Sequence, residues 1–115
     1  FQTDFMNDVL LSSSSLPLIY LSVGIIAPIF EEIWFRGFMF KGIEAAWGGH
    51  AAVFMTSVLF TSIHTQYSEP VLGLLALVAF AMGYARMYTG SLLVPILLHI
   101  LNNCAAIALA SYYYS

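Results

Sequence analysis

The chain has 115 residues, 61% of them hydrophobic and only 8% charged, with a formal net charge of −3 at neutral pH. A soluble domain carries about 25% charged residues, so water is not the main solvent of this chain. Three basic residues without a cluster argue against nucleic acid as a partner, and a lone cysteine excludes an internal disulfide framework.

The chain opens on a polar stretch, residues 1–15, read as an N-terminal segment or linker with Ser12 to Ser15 as spacer or helix cap. Phe1 to Asp8 has no basic n-region leading to a small-residue cleavage site, so no signal peptide is expected. The chain reads as the core of a larger membrane protein, embedded over residues 16–115.

Four apolar blocks follow. The first runs from about Leu16 to Trp47 and closes at Gly48-Gly49. At about 1.5 Å per residue its 32 or so residues reach about 48 Å, more than a straight span needs, so it must tilt, kink or emerge. Pro28 is the expected kink site, because its missing N–H frees the carbonyl of Gly24 and its ring crowds it. The second block runs from His50 to about Gln66 and is expected to hold His64 deep in a span. The third covers Val71 to Tyr88, stopped by Thr89-Gly90, where glycine can end a helix in the left-handed conformation. The fourth covers Leu92 to about Tyr114, with Tyr112 to Tyr114 as interfacial anchors. No period-two alternation occurs, so the expected fold is all-α: a polytopic transmembrane bundle of about four helices. Arg36, Lys41 and Arg86 fall on one side if the spans alternate, and the positive-inside bias makes that side cytoplasmic.

Block one contains "FEEIWFRGFMF", Phe30 to Phe40, with two adjacent carboxylates and an arginine in an apolar run. Glu32 and Arg36, spaced i, i+4, share a helix face and can pair. Glu31 points elsewhere and is left available. Intramembrane ionisable groups are costly and mark function or specific packing, so other polar residues decide between these. Block two carries "FTSIH", with Phe60 one turn before His64 on the same face, and block four carries "HILNN", with His99 and Asn103 at i, i+4. Counted from the edge taken as cytoplasmic, Glu31, His64, His99 and Asn103 all lie roughly 10 to 21 Å deep. One cavity could hold them.

Peptide hydrolysis needs a base for water and donors for the tetrahedral oxyanion. A carboxylate, imidazoles and an amide supply both. In that order, "EEIWFR", "FTSIH" and "HILNN" fit EExxxR, FxxxH and HxxxN, and over about Ile26 to Asn103 the chain resembles the CAAX protease and bacteriocin-processing family, also called the Abi family. These are intramembrane glutamic endopeptidases and include the type II CAAX prenyl protease. The resemblance implies that Glu31 works with His64 to activate a water, that His99 and Asn103 form the oxyanion site, and that Glu32 and Arg36 support it. It implies a membrane-associated protein or peptide substrate, prenylated in one branch of the family; with the charge bias above, the site is expected to open to the cytoplasmic side of the cell membrane. The family usually carries further transmembrane helices ahead of this core.

Other chemistries fit less well. The spans contain no HExxH, no paired aspartates and no serine in a GxSG setting, and Cys104 is turned away from His99. Glu31, His64 and His99 do have the composition of a catalytic zinc site. No cofactor is expected, since Asn103 is a common oxyanion donor and a poor zinc ligand, but the sequence leaves zinc open. It also leaves open a non-enzymatic immunity or scaffold protein whose polar groups bond helices together, and a proton relay through Glu31, His64 and His99.

Overall fold

A computed structural model of the protein describes residues 16–114. The expected polar segment, residues 1–15, lies outside the described residues. Four helices account for most of the described chain: α1 (Leu16–Trp47), α2 (Gly49–Ser62), α3 (Glu69–Thr89) and α4 (Leu93–Tyr114). No strand occurs among the described residues.

Three helices, α1, α3 and the Leu93–Tyr113 stretch of α4, are long and apolar enough to cross a membrane. The second block differs from its expectation. Its helix has 14 residues and ends at Ser62, short of the roughly 20 that a span requires. His64 is therefore not inside a spanning helix but in the turn that follows α2. The local sequence accounts for the early stop, because the hydroxyls of Thr61 and Ser62 bond back to the carbonyls of Ser57 and Leu59, and such bonds compete with helix continuation.

The first helix also differs from a simple kink at Pro28. It remains helical throughout, but Tyr20–Ile26 and Ile33–Met39 widen to π geometry on either side of an α-helical piece, Ala27–Glu32. The Ala27 N–H bonds to Ser22 O, five residues back. In that register the donor missing at Pro28 frees the carbonyl of Val23 as well as that of Gly24. Helix α4 answers both: Asn103 Nδ2 donates to Val23 O at 3.0 Å, and the Cys104 thiol approaches Gly24 O at 3.8 Å. Gly24 permits this contact, since a Cβ there would lie 2.9 Å from Cys104 Sγ.

Gly48, at φ +92°, turns the chain from α1 into α2 with a single residue. Gly90 ends α3 in the left-handed conformation at φ +66°, as the sequence implied.

Packing is inverted relative to a soluble protein. Three small apolar clusters tie the helices: Ile19, Ile107 and Ala110 join α1 to α4; Phe35, Phe60 and Ala79 join α1, α2 and α3; Phe40, Ala52 and Val53 join α1 to α2. Among them lie fully or largely buried Glu32, Arg36, Thr56, Ser57, Arg86 and His99, while large apolar side chains such as Phe30, Phe38, Leu77 and Leu101 face outward. Burying polar groups and exposing apolar ones lowers free energy only where the surroundings are hydrocarbon.

Candidate active site

The α-helical piece between the two π stretches presents both carboxylates. Glu32 is completely buried and uses one oxygen twice: its Oε2 accepts from Arg36 Nη1 at 2.8 Å and from His99 Nδ1 at 2.7 Å. Arg36, also fully buried, spends Nη2 on Ala79 O at 2.7 Å and lays its guanidinium over the Phe60 ring at 5.1 Å. The expected pair therefore exists, and it has a third member. His99 lies 67 residues from Glu32, so no spacing rule could have joined them.

Glu31 turns to the other side. Its side chain is 29% exposed, with Oε2 3.5 Å from His64 Nε2 and Oε1 3.6 Å from His99 Nε2. Each histidine is held from behind. His64 Nδ1 stands 2.6 Å from Phe60 O, and a carbonyl oxygen only accepts, so Nδ1 carries the proton. The Glu32 carboxylate fixes Nδ1–H of His99 by the same logic. Both rings consequently turn Nε2 toward one carboxylate.

Glu31, His64, His99 and Asn103 line a single cavity of about 250 Å³, together with Phe60, Gln66, Tyr67 and Asn102. Asn103 is not idle there: its NH₂ donates to Val23 O, and its Oδ1 faces Asn102 Nδ2 at 3.4 Å. Sequence reasoning gave Phe60 only a position one turn before His64. The structure makes it a hub, its ring 4.4 Å from His64, 5.8 Å from His99 and 5.4 Å from Phe35, centroid to centroid. An aromatic one turn before a histidine was the available signal. Gln66 and Tyr67 were not anticipated: Gln66 closed block two as an expected helix end, and Tyr67 fell in the break after it.

Glu31, His64 and His99 come nearest to a ligand set, although among the described residues no group of three or more His, Cys, Asp or Glu side chains is arranged to hold a metal ion. Two imidazoles and a carboxylate around one cavity can exchange protons with a bound water, and an amide beside them can donate to a negative oxygen.

Residues 13–105 match the family model described as type II CAAX prenyl endopeptidase Rce1-like. The chain belongs to that family. The match covers all three motif segments and reaches to residue 105 within α4, and with the apolar helices it makes this Rce1-like chain an integral membrane protein. A protein of Escherichia coli described as an uncharacterized 24.3 kDa protein is 36% identical over 96 residues, 78% of this chain and 44% of its own length. The chain thus spans less than half the length of that curated relative. No solved structure matches.

Proposed function

We infer that residues 16–115 form the membrane-embedded core of an intramembrane glutamic endopeptidase. The observation that carries this reading is the convergence of two anchored histidines on one carboxylate: His64 Nε2 and His99 Nε2 at 3.5 and 3.6 Å from Glu31. Those separations exceed direct hydrogen bonds and suit groups bridged by a water.

Glu31, with His64, takes a proton from that water as its oxygen attacks the peptide carbonyl carbon. The carbonyl π electrons move onto oxygen, and the oxyanion accepts from the Asn103 amide and from Nε2–H of His99 in its imidazolium form, whose other N–H stays on Glu32. Its collapse breaks the C–N bond, and the proton held by Glu31 and His64 goes to the leaving amine, giving a carboxylate and an amine. Glu32 and Arg36 touch no reacting atom. Glu32 positions His99 by accepting its Nδ1–H, and Arg36 holds Glu32.

The reaction is proposed to need no metal. The substrate class is a membrane-associated protein or peptide, and the family description adds prenylated proteins as the class to try first. By the positive-inside bias the end of the bundle that carries Lys41 and Arg86 faces the cytoplasm.

The test compares the membrane proteome of cells holding the active protein with that of cells holding Glu31→Gln. Loss of a general base costs about 10² to 10⁴ in rate, so at least one cleavage product present with the wild type should be missing from the variant. Identical product profiles with both proteins, at equal expression, would remove the glutamate-base mechanism.

A further inference from the structure

At the far end of α1 lies a second cavity whose lining does not overlap that of the candidate active site. It measures about 420 Å³ and is lined by Ile33, Gly37, Phe38 and Lys41 of α1, Arg86 of α3, Gly90, and Leu92 just before α4. Two of the three basic residues of the chain meet there. No carboxylate lines the cavity, and among the described residues none lies within ion-pair distance of either cation.

Arg86 is held in place for something other than a protein counter-ion. It is 8% exposed, its Nε donates to Arg36 O at 3.0 Å, and its guanidinium lies over the Phe40 ring at 5.0 Å. These contacts fix the plane of the fork but use one of its five N–H groups. No hydrogen bond from its Nη groups occurs among the described residues. A buried guanidinium whose fork is directed but unmatched suits a bidentate oxyanion; carboxylate and phosphate both match its geometry, and at the level of lipid headgroups phosphate is the abundant one. Lys41, exposed at the rim, adds a movable point charge, and the N-terminal end of α4 begins at Leu93 beside it.

The position in the membrane selects the source of the phosphate. Arg86 is in the last turn of α3 and Lys41 in the last part of α1, with exposed Tyr88 and Trp47 at the same end, the arrangement of a headgroup-level aromatic belt. The remaining walls are apolar: Ile33, Phe38 and Leu92. A further open apolar cavity of about 570 Å³ shares Phe38 and Lys41 with it, and Phe38 lies about one turn deeper than Lys41. Phosphate above and hydrocarbon below is the chemistry of a phospholipid.

We propose that Arg86 and Lys41 bind the phosphate of an anionic phospholipid at the end of α1 and α3, with its acyl chain on the Phe38 surface. The purified protein in a neutral maltoside detergent is titrated with phosphatidylglycerol, with phosphatidylcholine of the same chains, or with inorganic phosphate. Retained lipid is read by native mass spectrometry and stabilisation by thermal unfolding. Phosphatidylglycerol should be retained and raise the unfolding temperature more than phosphatidylcholine. Lys41→Gln, an exposed change that leaves the fold intact, should weaken phosphatidylglycerol binding about fivefold. Adding Ala46→Lys to it restores the net charge on a face turned about 140° from Lys41 and should not restore binding. Equal retention of both lipids, recovery by Ala46→Lys, or full stabilisation by inorganic phosphate alone would each overturn the proposal.

Discussion

Replacing Glu32 by glutamine tests how the buried charges are balanced. The Glu32 and Arg36 side chains both have no exposure, and the Glu32 Oε2 serves Arg36 at 2.8 Å and His99 at 2.7 Å. The amide keeps the shape, removes the charge and puts an N–H₂ where an oxygen stood. Arg36 is then a buried cation left with the Ala79 carbonyl and whatever single bond the amide oxygen gives it. Removing one partner of a buried ion pair destabilises by about 3–5 kcal/mol, roughly two to three and a half orders of magnitude in the folded-to-unfolded ratio. Glu31→Gln should cost less than about 1 kcal/mol, since Glu31 is 29% exposed and its ion-pair contacts are 3.5 and 3.6 Å long. The assay is thermal unfolding in detergent, with monodispersity on size exclusion as a second measure of folding. Arg36→Met added to Glu32→Gln removes the orphaned cation and should recover much of the loss. Equal unfolding temperatures for Glu31→Gln and Glu32→Gln would refute this account of the pair.

The proposed oxyanion role predicts that Asn103→Ala lowers turnover by about 10² to 10³ with little change in apparent substrate affinity. The same change also costs about 0.6 to 1.7 kcal/mol of stability through the lost bond to Val23 O; Asn102→Ala should cost far less turnover, and equal losses from both, tracking stability, would speak against Asn103. Activity in detergent should survive exhaustive chelation, and the pure protein should contain no stoichiometric zinc by elemental analysis; loss on chelation with recovery on adding zinc would establish the metal reading instead. Gly24→Ala, which puts a methyl 2.9 Å from Cys104 Sγ, should destabilise by about 1–3 kcal/mol in a thermal melt, and Cys104→Ala in the same chain should relieve it.

What the residues determine locally was legible from their order. Hydropathy fixed three spanning helices to within a residue or two, because a run of apolar side chains in hydrocarbon must close its own backbone bonds as helix. Gly48 and Gly90 marked two of the turns, and i, i+4 spacing paired Glu32 with Arg36. The charge count overstated one thing: Arg36 is no interfacial residue, since it is buried and paired, which leaves Lys41 and Arg86 as the cations at that end.

Tertiary structure alone decided what lies between helices. A helix period predicts which side chains share a face, but it does not predict a change of period, and the π stretches around Ala27–Glu32 moved the freed carbonyl to Val23 as well as Gly24. It does not predict that hydroxyls in the last turn of α2 end the helix and leave His64 in a turn, where its Nδ1 still finds Phe60 O. Nor does it predict that His99 reaches Glu32 across 67 residues. These contacts depend on how far apart two helix axes sit and how each is rotated. Both are set by small residues such as Gly24 and by buried charges that must find partners wherever the fold brings them.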